Sequence, residues 1–450
     1  MSYRNLAWLL VVPAFVLLTA SLTATAPPPD KDYKLVRSIV DVLAEVDRRY
    51  YRELSDDERK KLVEAMINGG LTHLDKHSQY FNEKEFDSFQ TSTDGHFGGI
   101  GAYLDQDRET QTLMVVYPMI GTPAFEAGLE PGDLIQKVDD TSTKGLSIDD
   151  ARSLIKGNPG TKVRLQILSE GAKEPRTVEI TRAIIETHAV QGYTRKSDKI
   201  ADWEYTVDPE RQIALIRLSS FNSNTTKEMK DAIRQAEAAG AKAIILDMRG
   251  NPGGLLNEAV KVSNLFLPEG KIVGTKDRYQ KEDWAKADAK EMIFGPADKK
   301  PLVVLIDYRS ASASEIVAAA LQDNNRAVVI GERSYGKGSV QQVHHLSDQK
   351  TAVKLTSKVW IRPNGQKIHR DNADTDAEVW GVKPDAGFDV KLSTDDRVQN
   401  ALQLQQLNMG KTKKDLKPNP DRPKLDPNYK DKVVEKAIEH LRGKLKVIGN

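Results

Sequence analysis

Two stretches of this chain place reactive side chains where the backbone could assist them. The first, Arg309-Ser310-Ala311-Ser312-Ala313-Ser314-Glu315-Ile316, joins an apolar run at 302–306 to an alanine-rich helical pattern ending near Gln322. Small residues there let a substrate backbone approach closely. A serine at a helix start also lies beside unpaired N–H groups that can stabilise an oxyanion. Serines in that position equally serve as plain helix caps, and the local sequence does not separate the two roles. The second stretch, Gly331-Glu332-Arg333-Ser334-Tyr335-Gly336-Lys337-Gly338-Ser339, follows a strand pattern at 327–330. Gly331 and Gly336-Lys337 match the G-x-x-x-x-G-K phosphate loop, but Gly338 stands where a Ser or Thr would hold Mg²⁺. Residues 340–343 read as strand, whereas a phosphate loop should open a helix facing the anion, so nucleotide binding is rejected. A lysine between glycines and flanked by strands is rigidly placed. If desolvated, its pKa falls and the neutral amine can take a proton from a serine. An exposed turn lysine is the plainer alternative.

These segments need a scaffold, and the pattern supplies one. Strands at 213–218, 243–247, 302–306 and 327–330 alternate with helices at 225–239, after Gly254 and from about 312 to 322, which argues for a layered α/β core with parallel pairing. Before it, residues 95–185 hold short strands at 100–104, 113–117, 134–138, 163–168 and 177–180, with helical pieces at 123–127 and 147–156. This segment is the size of an independent module. A polar linker is expected at 195–210. Residues 32–92 read as helical, with a capping box at Ser55-Asp56-Asp57-Glu58 and a stop at Gly69-Gly70. Residues 340–389 read as strand and turn. The Lys/Pro-rich 410–430 stretch reads as a linker, followed by an amphipathic helix with Val434, Ala437, Ile438 and Leu441 on one face.

The chain has 450 residues, 29% of them charged, at a formal net charge of +1, so neither a nucleic-acid surface nor an acidic tail is indicated. The absence of cysteine excludes a disulfide framework, a thiolate zinc site and a Cys nucleophile. There is no H-E-x-x-H, and the adjacent His344 and His345 would point to opposite faces of a strand, so no metal site or cofactor is expected. At the start, Arg4 precedes an uncharged apolar run from Leu6 to Leu22 that closes in Ala24-Thr25-Ala26 before three prolines. This is an export signal, either cleaved or kept as a membrane anchor.

The two catalytic stretches together resemble the carboxy-terminal processing (tail-specific) peptidases. In that family the second serine of the S-A-S-A-S-E run is the nucleophile and the lysine of the G-K-G run is the general base. The resemblance therefore implies Ser312 and Lys337, 25 positions apart. It implies that Gln341 orients the lysine and that Asp323 has a supporting part, in the chemistry or in the local structure. Leu246-Asp247-Met248-Arg249-Gly250-Asn251-Pro252-Gly253-Gly254 resembles the family's D-x-R-x-N-x-G-G loop, which implies an oxyanion hole from Ala313 with Gly253 or Gly254. The 95–185 module resembles the family's PDZ domain. Phe97-Gly98-Gly99-Ile100-Gly101-Ala102 would be the carboxylate-binding loop, with Gly98, Gly99, Ile100 and Gly101 as binding residues.

The implied fold is a crotonase/Clp-protease-like layered α/β catalytic core with an inserted PDZ domain and a helical N-terminal region. Its parts are 1–30 signal or anchor, 31–94 helical region, 95–185 PDZ, 186–395 peptidase core and 396–450 linker and helix. The implied activity is that of a serine endopeptidase on exported proteins, periplasmic or membrane-anchored, whose PDZ domain grasps apolar C-terminal tails and gates the cleft. An activating adaptor and a homo-oligomer stay open as partners, and no nucleic acid is implicated. A non-catalytic PDZ scaffold on a degenerate peptidase body is the rival reading.

Overall fold

The computed structural model describes residues 33–107, 109–197, 199–370, 379–409 and 424–448. The chain divides into two compact units, one ending at His73 and the other beginning at Leu74. The first carries helices α1 (Tyr33–Arg49) and α2 (Asp56–Leu74), the latter ending at the boundary. The capping box forms at α2: the Glu58 N–H donates to Ser55 Oγ and the Ser55 N–H to Glu58 Oε2. The expected stop at Gly69-Gly70 does not occur, because α2 runs through both glycines. An interior glycine costs a helix only about 1 kcal/mol, and at neither position does any atom crowd the place of a Cβ. The apolar export segment lies outside the described residues. Among the described ones, no helix is long and apolar enough to cross a membrane.

The second unit opens with β1 (Gln79–Phe81), α3 (Glu83–Thr93) and β2 (His96–Gly99). An antiparallel sheet follows, ordered β3 (Ala102–Gln106), β4 (Leu113–Pro118), β5 (Leu134–Val138), β7 (Lys162–Leu168), β8 (Arg176–Thr181), with β6 (Thr141–Ser142) paired to β5. Helices α4 (Pro123–Glu126) and α5 (Ile148–Ile155) complete the module. Val163, Leu165 and Ile167 alternate inward with exposed Lys162 and Arg164, as a sheet with one packed face requires. The strand expected at 100–104 is broken. β2 ends before Ile100 and β3 begins after Gly101, whose φ of +77° turns the chain where a Cβ would collide with Thr122. β2 pairs with β9 (Ala183–Glu186), so the chain enters and leaves the module along one ribbon.

The central sheet is ordered β10 (Val190–Gln191), β14 (Ile213–Leu218), β15 (Ala243–Asp247), β18 (Leu302–Ile306), β19 (Val328–Gly331), and its last four strands are parallel. The expected linker at 195–210 is folded. There β11 (Thr194–Arg195) pairs with β12 (Trp203–Glu204) and β13 (Thr206–Asp208) with β14, while Trp203 and Tyr205 are buried. Two aromatics anchor a segment whose remaining residues are mostly polar. On one face of the sheet, α6 (Thr225–Ala238), α7 (Leu256–Asn264) and α8 (Ala313–Asp323) pack against Ala214, Ile216, Leu246 and Val304. On the other, α10 (Lys432–Ile448) lays Val433, Val434, Ala437 and Leu441 against Ile213, Leu215, Ile245 and Val303. Both faces are covered, so these strands read as apolar runs, broken only by Arg217 in β14 and Asp247 at the end of β15.

A second sheet, β1-β21-β16-β17 with β20 paired to β21, is built from β16 (Lys271–Asp277), β17 (Glu282–Lys286), β20 (Ser339–His345) and β21 (Ala352–Ile361). Helix α9 (Thr394–Met409) precedes the 410–430 stretch expected to be linker and is not among the expected elements. Its Leu-Gln repeat presents no clean apolar stripe, but Ser393 and Asp396 cap it reciprocally and Arg397 forks onto both oxygens of Glu332.

Candidate active site

The turn between β18 and α8 is fixed by its own polar residues. Asp307 accepts from the backbone N–H groups of Gly250, Arg309 and Ser310. Ser310 Oγ donates to the Met248 carbonyl and Ser314 Oγ to that of Asn251, both at 2.9 Å. These two serines are fully buried and stitch the helix start to the glycine loop, while Ser312 between them is half-buried. Ser312 sits at the N-cap of α8 with φ +56° and ψ −113°, a backbone state that costs a non-glycine residue of order 1–3 kcal/mol. Such strain persists only where the surroundings enforce it.

Glu315 does the enforcing. Its side chain is completely buried and its carboxylate accepts four hydrogen bonds. Oε2 takes the backbone N–H groups of Ser312 (2.7 Å) and Lys337 (2.8 Å). Oε1 takes the Ser334 hydroxyl and the Gly336 N–H, both at 2.6 Å. Burial pushes this carboxyl up from 4.5 to about 6, against the pull of those donors. One carboxylate oxygen therefore joins the two candidate catalytic segments. The sequence reading did not assign Glu315 a role, although the Ser-x-x-Glu spacing of a capping box marked it.

Lys337 is held between glycines that the packing demands. A Cβ on Gly336 would meet Arg370 and Trp380, and one on Gly338 would lie 2.4 Å from the His369 nitrogen. Trp360 Nε1 donates to the Lys337 carbonyl at 3.0 Å. Burial depresses the Lys337 amine below its ordinary value, and the Lys354 and Lys76 charges add to this, opposed by Tyr335 and Glu315. His77 is lowered to about 4, by burial first and then by the Lys337 charge. Lys76 Nζ donates to Tyr335 Oη at 3.0 Å, two residues before Lys337. Lys76, His77 and Lys354 come from segments distant from Lys337 in the chain, and the sequence reading assigned none of them a role at the site.

Among the described residues, Lys337 Nζ makes no hydrogen bond or ion pair, and no hydrogen bond joins it to Ser312 Oγ. Gln341 is turned elsewhere: its Nε2 donates to Ser339 Oγ (2.9 Å) and Thr356 Oγ1 (3.2 Å). Asp323 forms a buried fork with Arg362 (2.6 and 3.1 Å) and accepts from Asn364.

In the glycine loop the two candidates face differently. A Cβ on Gly253 (φ +100°) would fall 2.8 Å from Ser312 Cβ and 3.0 Å from the Ala313 nitrogen. Gly253 thus packs on the Ser312 segment, yet its N–H is already bonded to Asn251 Oδ1 at 2.9 Å. Gly254 (φ +148°) backs onto Phe221, and its N–H has no acceptor among the described residues. The Ala313 N–H, first in its helix, is unpaired by position. The loop's root is rigid. Burial favours neutral Asp247, but Arg249 and Arg217 overcome it and hold that carboxylate well below the usual range.

In the β-rich module, Gly98 and Gly99 lie in the β2–β9 ribbon. The Ile100 and Gly101 N–H groups have no acceptor among the described residues, while their carbonyls accept from Ala124 and Met119.

Residues 212–386 match the model of peptidase family S41, and residues 114–169 match that of the PDZ domain. The chain is 36% identical over 390 residues to a carboxy-terminal-processing protease of Bartonella bacilliformis, covering 84% of each. It is 35% identical over 337 residues to the carboxy-terminal processing protease CtpA of Bacillus subtilis, covering 74% of this chain and 65% of that one, just under two thirds. A solved photosystem II D1 C-terminal processing protease aligns with TM-score 0.45 and 28% identity, covering 78% of this chain and 92% of its own. The chain belongs to peptidase family S41, as a serine-type peptidase carrying a PDZ domain.

Proposed function

We propose that Ser312 is the nucleophile and Lys337 the general base of an endopeptidase acting at the C-terminal tails of exported proteins. The observation that carries this is the Glu315 carboxylate, which fastens the backbones of Ser312 and Lys337 to one oxygen across 25 positions of sequence. The neutral amine takes the Ser312 proton as Oγ attacks the scissile carbonyl carbon. The carbonyl electrons collect on the oxyanion, facing the Ala313 and Gly254 N–H groups, with Gly253 giving the close approach. Lys337 returns the proton to the departing amine, and water then releases the acyl group. Burial and the neighbouring lysines lower the Lys337 pKa, which favours the neutral amine that the step requires.

With no hydrogen bond between Ser312 and Lys337, and Gln341 turned toward Thr356, the arrangement reads as a resting form. Gln341 swings to orient Lys337 when substrate enters, and Asp323 supports the site through Arg362. The PDZ domain, bounded at 95–185, takes the substrate's C-terminal carboxylate on the Gly98-Gly99-Ile100-Gly101 loop, at the open N–H groups of Ile100 and Gly101. It thereby controls access to the 186–395 core.

In the test, purified Ser312→Ala binds tail peptides but leaves an unstructured tail-bearing substrate intact, and Lys337→Arg, which stays charged, is equally inactive. Normal cleavage by either variant overturns the assignment.

A further inference from the structure

Helix α9 buries no clean apolar stripe, yet its two ends hold parts of the molecule that lie far apart in the chain. In the β3–β4 pair the register slips. Tyr103 faces Tyr117 and Leu104 faces Val115, which leaves Val116 as the extra residue of a β-bulge. The Val116 carbonyl accepts from Gln405 Nε2 of α9 at 3.0 Å. The next residue, Tyr117, packs on the Tyr103 ring with centroids 4.5 Å apart, and its hydroxyl interacts with the Asn408 side chain. The same turn of α9 is fastened to the core. Gln191 Nε2 donates to Asn408 Oδ1 at 2.8 Å, and Arg195 Nε donates to the Leu407 carbonyl at 2.6 Å.

At the other end, Arg397 reaches the two oxygens of Glu332 at 2.7 and 2.9 Å. Glu332 stands five positions before Lys337, in the segment whose Ser334, Gly336 and Lys337 are bonded to Glu315. The helix has 16 residues and so spans about 24 Å. One rigid element therefore touches the PDZ domain and the Lys337 segment. Beneath it lies a cavity of about 1240 Å³, bordered by Leu404 and Leu407 of α9 and by Tyr193, Leu215, Arg217 and Val434 of the core. A close-packed interior resists displacement. A helix lying over a void and tied down by side-chain hydrogen bonds meets less of that resistance. The other ties of the PDZ domain include the β2–β9 ribbon, Ile200 against Gly121, and Lys156 Nζ on Ser88 Oγ.

This inference rests on the reading of the PDZ domain as a gate. We propose that α9 couples the position of the PDZ domain to the Lys337 segment. In this form Gln405 and Asn408 seat the domain while Arg397 holds Glu332. When the domain leaves its seat, the helix shifts over the cavity and frees the Lys337 segment to approach Ser312. Rigid elements and hydrogen-bond networks with two arrangements carry such coupling.

The test follows the full chain on an internally quenched, unstructured peptide with an amidated C-terminus, with and without a saturating apolar tail peptide. In the parent the tail peptide raises kcat. Gln405→Ala with Tyr117→Phe frees the PDZ end of α9, and Arg397→Gln frees the other end. Each raises the unstimulated kcat about fivefold, the scale of a hydrogen bond lost from one of two states. KM and the stimulated rate stay unchanged. The combined variant gains no more than either alone, with all three rates below the stimulated one, because both changes act through one helix. Gains that multiply mean two independent restraints and overturn the coupling. A gain at one end only, or at neither, also overturns it and leaves the gate standing. Rates that fall equally with and without tail peptide make α9 a structural support alone and overturn it too. A parent without turnover, or one that no tail peptide stimulates, removes the gate itself and this inference with it.

Discussion

Replacing Glu315 with Gln preserves volume but breaks the join between the two catalytic segments. Each carboxylate oxygen accepts two hydrogen bonds, and an amide supplies only one oxygen, so its NH₂ must face two donors. Losing two bonds to a charged group at about 1.5–3 kcal/mol each costs about 3–6 kcal/mol. Against this, the rise from 4.5 to about 6 shows that keeping the buried group ionised at neutral pH costs the native state about 2 kcal/mol, which Gln relieves. The net destabilisation is about 1–4 kcal/mol at pH 7. Urea unfolding measures it as a lower midpoint with an unchanged slope.

The pH dependence has a definite sign. A carboxyl whose folded pKa is raised opposes folding most above that pKa. The wild type therefore regains stability as pH falls from about 6 toward 4.5, and the deficit of Glu315→Gln relative to it widens over that window. Peptidase activity should fall more steeply than stability, because Ser312 and Lys337 lose their shared anchor. Native-like stability together with native-like turnover in Glu315→Gln would refute the bridging argument.

Two further outcomes follow from the same geometry. Lys354→Met removes a cation that holds the Lys337 amine down, so the rising limb of kcat/KM against pH shifts to higher pH; an unmoved profile means Lys354 does not act on the base. Gly253→Ala drives a methyl to within 2.7 Å of the Ala311 carbonyl at φ +100°, and should cut kcat by roughly 10²-fold while the fold persists. Unchanged turnover, followed with an unstructured substrate, would detach this loop from the oxyanion.

Much of the scaffold is legible from periodicity. The strands at Ile213–Leu218, Ala243–Asp247 and Leu302–Ile306 stand as apolar runs because helices cover both their faces, the exceptions being Arg217 and Asp247, which pair with each other near the strand ends. The errors fall where local pattern carries little information. Gly69 and Gly70 read as a stop but cost α2 too little to end it. Helix α9 buries no clean stripe and is held by a cap and by Arg397 on Glu332. The 195–210 segment owes its order to two buried aromatics among polar neighbours.

The sequence by itself determined the segments that bear chemistry. Glycines flank Lys337 because packing leaves no room for a Cβ, and serines and alanines surround Ser312 because larger side chains would close the approach. The tertiary structure alone decided that Glu315 would join these segments and that Asn251 would occupy the Gly253 N–H and leave that of Gly254 open. It also decided that Lys76, His77 and Lys354 would crowd Lys337. Apart from the local Asn251–Gly253 bond, these relations are between residues far apart in the chain, and electrostatics and hydrogen bonding depend on distance in space, which no local pattern of residue types encodes.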